Sequence, residues 1–244
     1  MTDNRELVQQ RNETLADASP EEILRWAAET FPGAVALASS LGAEDQVLTA
    51  MIAREHLPIT VFTLDTGRLF PETYELIAAT ADKLGVPVRV YFPDASDVEE
   101  MVTLHGIDLF RDSVAARKRC CDVRKVRPLR RAQAGLEAWV CGLRSGQGVT
   151  REQVTVVEWD EASGLVKINP LASWSEGQVW EYVRANEVPV NPLHEAGMPS
   201  IGCAPCTRAI EAGEDPRSGR WWWESAEQRE CGLHGRIADD GGSR

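Results

Sequence analysis

Six cysteines fall in a pattern that suggests chemistry: an adjacent pair, Cys120 and Cys121, a Cys203-Ala204-Pro205-Cys206 pair far downstream, Cys141 inside an apolar run, and Cys231 in a polar C-terminal stretch. Four thiolates from two clustered pairs can close a metal or iron-sulfur site, and Cys231, left without a partner, is available as a nucleophile. Disulfide frameworks belong to small secreted domains. This chain has 244 residues and opens on no basic, apolar, cleavable segment, so the thiols are expected to be reduced and the compartment cytoplasmic. Structural zinc takes cysteines spaced so that two sulfurs bite one tetrahedral ion. Cys203 and Cys206 fit that spacing. Cys120 and Cys121 do not, because neighbouring side chains diverge, whereas a larger cluster offers separate irons to adjacent thiolates. The pattern therefore favours one [4Fe-4S] cluster on Cys120, Cys121, Cys203 and Cys206 over zinc. Cys141 reads as a small core residue.

Other residues that could do chemistry lie where apolar runs end. Ser39-Ser40-Leu41-Gly42-Ala43-Glu44-Asp45 leads from an apolar strand into a helix, and its small residues let backbone amides approach a phosphate at a helix N-terminus. As a bare pattern it is also compatible with an ordinary strand-to-helix turn, since it is neither the Walker sequence nor the dinucleotide fingerprint. Leu64-Asp65-Thr66-Gly67-Arg68 follows a second strand, and the stretch from Gly142 through Arg144 to Arg151 follows another. Arginine beside glycine suits an oxyanion, because a flexible backbone admits the anion while guanidinium supplies a fork of donors.

Positioning those loops requires a particular fold. Ser19-Pro20-Glu21-Glu22 carries an N-cap, a first-turn proline and early acids, so a helix is expected through Ile23 to about Thr30. Apolar runs at Ala34 to Ala38, Ile59 to Leu64, Val86 to Phe92 and Ala138 to Leu143 alternate with helical patterns at Glu44 to Glu55 and Pro71 to Leu84. The first of these runs lacks polar alternation, as in a strand buried on both faces. The expected fold class is α/β, a doubly wound, mostly parallel sheet. Val154 to Trp159 and Leu165 to Ile168 read as a hairpin at a sheet edge, followed by a helix from about Ser175 to Asn186 and a loop from Pro189 to Cys206 carrying the second thiol pair. The expected division is a nucleotide-binding α/β domain with the cluster site over residues 1–210 and a mobile, polar C-terminal tail over 211–244.

Charge excludes some partners. With 38 Asp and Glu against 26 Lys and Arg, the formal net charge is −12, which disfavours nucleic acid or an anionic membrane, and no apolar run is long enough to span a bilayer.

Taken in order, Ser40-Leu41-Gly42-Ala43-Glu44-Asp45, Leu64-Asp65-Thr66-Gly67-Arg68, Cys120-Cys121, Lys167-Ile168-Asn169-Pro170-Leu171, Pro199 to Cys206, Gly219-Arg220-Trp221-Trp222-Trp223-Glu224 and Glu230-Cys231-Gly232-Leu233-His234 resemble the sulfonucleotide reductases along nearly the whole chain. The double thiol pair resembles the iron-sulfur branch, which implies adenosine 5'-phosphosulfate as substrate, thioredoxin as reductant, and an adenine nucleotide α-hydrolase-like sheet. The branch using the 3'-phosphorylated nucleotide commonly lacks both pairs. Arg229 and Asp122 depart from the usual pattern, the latter beside the cluster ligands.

Under that resemblance Cys231 is the nucleophile that carries a thiosulfonate, and Lys125, Arg217, Arg220 and His234 surround the phosphosulfate to offset anionic repulsion. Ser39, Ser40, Gly42, Leu64, Gly67, Arg68, Arg144 and Arg151 are expected around the nucleotide. Trp221 is the tryptophan nearest the ligand in a run that chiefly anchors the tail. Lys125, four residues past Cys121, would lie one helical turn from the cluster. His56 and His105 read as structural, and His194 has no assigned role. Three other readings stay open: the 3'-phosphoadenosine 5'-phosphosulfate reductase, an adenylating enzyme whose Ser-Gly-Gly-x-Asp-Ser loop fits poorly, and an iron-sulfur sensor that would not need Cys231. A homo-oligomer is compatible with all of them.

Overall fold

A computed structural model describes residues 4–145, 147, 154–225, 228 and 229. The apolar runs become β1 (Val35–Ala38), β2 (Thr60–Leu64), β3 (Val88–Tyr91) and β4 (Ala138–Val140), and the hairpin becomes β5 (Val157–Asp160) and β6 (Leu165–Ile168). They form one sheet in the order β3-β2-β1-β4-β6-β5. Every pairing is parallel except that of β5 with β6, so the hairpin supplies the antiparallel edge. The expected α/β class is observed. One strand differs from the other apolar runs: β3 is an edge strand whose residues are partly exposed, because only β2 pairs with it.

The helices are α1 (Asn4–Thr14), α2 (Pro20–Thr30), α3 (Ala43–Arg54), α4 (Pro71–Leu84), α5 (Ala95–His105), α6 (Val114–Cys121), α7 (Arg127–Gln133) and α8 (Glu176–Ala185). Ser19 caps α2 in a reciprocal capping box with Glu22, and Ser175 does the same for α8 with Gln178. Gly85 ends α4 in the left-handed conformation at φ 67°, a position that favours glycine. Ile23, Leu24, Val47, Leu48 and Met51 of α2 and α3 pack on Leu37, Val140 and Ile168 of the sheet to make the main core.

Sequence periodicity did not announce α1, α5, α6 or α7. Of these α6 bears most on the site. Its sequence, Val-Ala-Ala-Arg-Lys-Arg-Cys-Cys, has no apolar stripe, and the five residues Asp122–Val126 continue it as a π-helix into α7. Such a widened turn is a common mark of functional sites. Asp122 is paired with Arg127 at 3.0 Å, and Arg127 also reaches Asp97 at 2.8 Å, so its charge is matched on the surface. Among the described residues no helix is long and apolar enough to cross a membrane.

Candidate active site

β1, β2 and β4 end in one cavity of about 660 Å³, in the place expected for a ligand of a doubly wound sheet. Ser39, Ser40 and Gly42 line it from the loop after β1, Leu64 from the end of β2, and Gly142 and Arg144 from the loop after β4. Lys125, Arg217 and Arg220 bring positive charge to the same cavity from three further positions in the chain.

The loop after β1 is held open for a ligand by its own hydrogen bonds. Leu41 adopts a left-handed φ of 62° and donates its amide to Ser39 Oγ at 3.1 Å. Gly42 then begins α3 without a side-chain cap, which leaves first-turn amides and the positive end of the helix to an anion. Asp45 fixes the arrangement. Its Oδ2 accepts from the Ser40 amide at 2.7 Å and the Ser40 hydroxyl at 2.6 Å, and its Oδ1 accepts from the Gly142 amide at 3.0 Å. Burial pushes the Asp45 carboxyl up to about 6, Ser40 and Gly142 pull in the opposite direction, and neighbouring Glu44 adds to the rise. Sequence reasoning placed Asp45 in the motif but missed its role, because its partner Gly142 is 97 residues away.

Arg144 does line the cavity, yet its charge is already matched: Nε donates to Glu44 at 2.8 Å, and Gln147 donates to the same carboxylate at 2.9 Å. His194 also borders the cavity. Its Nδ1 lies 3.1 Å from the Met198 carbonyl, its ring meets Trp180 edge-on at 5.3 Å, and burial holds its pKa below the usual range.

The four cysteines of the two pairs are buried together with Met101, Leu109, Phe110, Val123 and Trp221. They line a void of about 20 Å³ that also touches Arg117, Arg124 and Lys125. Burial pushes Cys120 up, and burial with the adjacent Cys203 pushes Cys206 to about 12. Cys203 is buried too, but Lys125, the Thr66 hydroxyl at 3.2 Å, Arg220 and Arg124 outweigh that and hold it below the usual thiol range. Among the described residues no three His, Cys, Asp or Glu side chains gather as they would for a single ion. Four thiols line one void, and Arg117, Arg124 and Lys125 flank it as cations that would offset thiolate charge.

Three expected nucleotide contacts, Gly67, Arg68 and Trp221, lie on this side and are not in the cavity lining. Arg68 donates to the Ile107 carbonyl at 2.7 Å and to Asp108 at 3.1 Å, and stacks over Phe110 at 5.0 Å. Trp221 is fully buried between Arg117 and Arg220, whose guanidinium carbons lie 4.6 and 4.7 Å from its ring centre. That stacking is the anchoring role of the tryptophan run, and it places no Trp221 atom in the cavity lining. Gly67 turns beside Arg124 at φ 70°, below Thr66, whose carbonyl accepts from Arg124 at 2.7 Å. Lys125 borders both the cavity and the thiol void, carried there by the π-helical turn after Cys121. Arg151, Cys231 and His234 lie outside the described residues, as does half of the segment expected to be a mobile tail. Residues 217–225 are described, and they fold back on the second thiol pair: Thr207 bridges Arg220, and the Trp221 amide donates to Cys206 O at 3.2 Å.

A model of the phosphoadenosine phosphosulfate reductase domain matches residues 34–209. The adenosine 5'-phosphosulfate reductase of Allochromatium vinosum is 57% identical over 202 residues, covering 83% of this chain and 79% of that one. That of Burkholderia cepacia is 52% identical over 200 residues, covering 82% and 80%. Among solved structures, the phosphoadenylyl-sulfate reductase of Candida auris in its phosphate complex superposes with a TM-score of 0.74 at 31% identity, covering 86% of this chain and 99% of that one. The FMN adenylyltransferase of Candida glabrata, 15% identical with a TM-score of 0.56, shares the fold.

Proposed function

Because the chain belongs to the sulfonucleotide reductase family, and within it to the adenosine 5'-phosphosulfate reductases, we propose that it reduces adenosine 5'-phosphosulfate to sulfite and AMP with electrons from thioredoxin. The observation that carries this reading is Lys125, a cation bordering at once the cavity at the strand ends and the void between the four cysteines. A nucleotide cavity on an α/β sheet serves many chemistries. One joined by a lysine to four buried thiols serves far fewer.

In the proposed reaction the Cys231 thiolate attacks the sulfate sulfur, an S–S bond forms, and the S–O bond to AMP breaks. Sulfur in the bound SO3 group then leaves as sulfite when a thioredoxin thiolate attacks the Cys231 sulfur. The resulting mixed disulfide is resolved by the second thioredoxin thiol, which returns Cys231 as a thiolate and leaves thioredoxin oxidised by two electrons. An anionic nucleophile approaching phosphosulfate needs charge compensation, and Lys125, Arg217 and Arg220, which line the cavity, would supply it. Ser39, Ser40 and Gly42 hold the nucleotide at the N-terminus of α3, with Asp45 fixing Ser40. His234 and Arg151 complete the anion site by the same family resemblance.

Cys120, Cys121, Cys203 and Cys206 would hold one [4Fe-4S] cluster. Bound there, the cluster would supply negative charge that tunes the electrostatics of Lys125, which lines the same void. The reaction is placed in the cytoplasm, where thiols stay reduced and thioredoxin is available. Sulfite release by the purified protein with reduced thioredoxin, measured with adenosine 5'-phosphosulfate and with its 3'-phosphorylated form, tests the reading. Faster turnover of the first supports it, and turnover of the second alone would assign the chain to the other branch.

A further inference from the structure

The sequence motif ending in Glu224 contains one acidic residue that neither lines the cavity nor faces solvent. Its partner is Arg117, three residues before the first cysteine pair. The Arg117 side chain is fully buried, and it grips Glu224 with both arms, Nε to Oε1 at 3.0 Å and Nη2 to Oε2 at 2.7 Å. The same Nη2 donates to the Gln228 carbonyl at 2.7 Å. Its guanidinium also lies over the ring of Trp221 and reaches the Cys121 sulfur one turn along α6. One side chain thus touches a thiol of the cysteine site, the tryptophan that stacks on Arg220, and the backbone at residue 228.

From this geometry we infer that Arg117 and Glu224 form a clasp, with Arg117 a positioning residue that sets where the segment carrying Arg220 and leading to Cys231 stands relative to the cavity. The inference rests on the reading of Cys231 as nucleophile for its purpose, but not for its existence. Three physical points favour a positioning role over packing alone. A bidentate guanidinium–carboxylate pair fixes orientation as well as distance. The third hydrogen bond goes to the Gln228 carbonyl, next to Arg229, whose own guanidinium donates to the Glu224 carbonyl at 3.0 Å, so the pair is tied to the backbone on both sides of the carboxylate's segment. Ion pairs withdrawn from water are poor sources of stability compared with apolar residues of the same size, so a chain needing only a packed interior would lose little by replacing them.

Three variants test the clasp: Arg117→Lys, which keeps the charge and loses the fork, Glu224→Gln, and the double variant Arg117→Met/Glu224→Met, which fills the space without directed hydrogen bonds. Each is checked for iron content and AMP affinity, for amide hydrogen exchange, and for the single-turnover rate at which the Cys231 peptide gains SO3 from adenosine 5'-phosphosulfate. Both single variants should bind AMP within about twofold of wild type, exchange amides 221–229 about tenfold faster while β1 and β4 are unchanged, and acquire SO3 at least about tenfold more slowly. The double variant should fold as stably as wild type and still acquire SO3 slowly. Unaltered exchange at 221–229 in the folded single variants overturns the clasp. So does a double variant with wild-type SO3 transfer, which would reduce the pair to packing, and this variant decides the matter if the single ones do not fold. If wild-type protein gains no SO3 on Cys231, the nucleophile reading fails, while the exchange comparison still decides the clasp.

Discussion

The Asp45 carboxylate accepts the Gly142 amide at 3.0 Å, joining the loop after β1 to the loop after β4 across the parallel pair that both loops terminate. Because the same carboxylate holds the Ser40 amide and hydroxyl, the two sides of the cavity mouth are set by one buried side chain. Its burial has a measurable sign. The folded pKa of about 6 lies above the ordinary 3.8, so protonated Asp45 favours the fold; that contribution is complete below about pH 4 and is lost as pH rises through about 6. Asp45→Asn cannot titrate. Relative to wild type, the variant should gain up to about 3 kcal/mol between pH 4 and pH 7, on top of a constant cost for its lost acceptor. Urea unfolding of both proteins across that range checks this, and a pH-independent difference would refute it.

Gly142 is the other half of that contact. A Cβ built there would stand 2.5 Å from Asp45 Oδ1 and 2.9 Å from Glu44 Cβ, so something must move. Gly142→Ala should push the two loops apart, cost about 1 to 3 kcal/mol of stability and weaken AMP binding at least tenfold. Calorimetric titration with AMP measures it. Wild-type affinity in this variant would mean that the nucleotide does not use the Gly142 side of the cavity.

The cations make a separate prediction. Lys125→Ala, Arg217→Ala and Arg220→Ala should each reduce kcat/KM at least tenfold, since a charge-assisted contact is worth about 1.5 to 3 kcal/mol. Arg220→Ala should have the largest structural side effect, because its guanidinium fills the space over Gly202 and stacks on Trp221. Wild-type kinetics in all three would mean that the phosphosulfate lies elsewhere. Arg144→Ala is the contrast: its charge is matched by Glu44, which also keeps Gln147, so kcat/KM should fall less than in the other three variants.

How much of this was legible in the sequence depends on how locally each feature is encoded. The strands and α2, α3, α4 and α8 were readable because runs such as Val35 to Ala38 and caps such as Ser19 and Ser175 carry their signal within a few residues. α6 was not, since a helix whose buried members are Arg117, Cys120 and Cys121 shows no apolar period; it is buried against Leu109 and Phe110 just before it and against distant partners such as Glu224, 107 residues from Arg117. Arg68 looked like a nucleotide ligand because it follows a strand beside a glycine. Its side chain turns instead to Asp108 and Phe110, a choice made by residues that the local pattern does not contain. Asp45 and Glu224 were visible as motif members, but their contacts to Gly142 and Arg117 are tertiary.

Iron content tests the cysteine site directly. Protein purified without oxygen should be brown and hold about four irons and four acid-labile sulfides per chain, as a cubane on four thiolates implies. Cys203→Ser should lose most of that iron, whereas Cys141→Ser should keep it, because Cys141 follows β4, outside the thiol void, with its thiol on Asn169 at 3.1 Å. Stoichiometric zinc without labile sulfide, in protein made with ample iron, would replace the cluster with a single-ion site.

The mechanism turns on Cys231. Cys231→Ser removes none of the four thiols around the void, so it should keep its iron and bind AMP. It should release no sulfite and gain no adduct. Wild-type protein given adenosine 5'-phosphosulfate without thioredoxin should gain one SO3, about 80 Da, on the peptide containing Cys231, and lose it once reduced thioredoxin is added. Cys141 and Cys203 also line the cavity, so an adduct on either of them is the rival route. Mass spectrometry of the digested protein before and after thioredoxin therefore separates the two routes. Label on another cysteine, or turnover by Cys231→Ser, would exclude the covalent route through this residue.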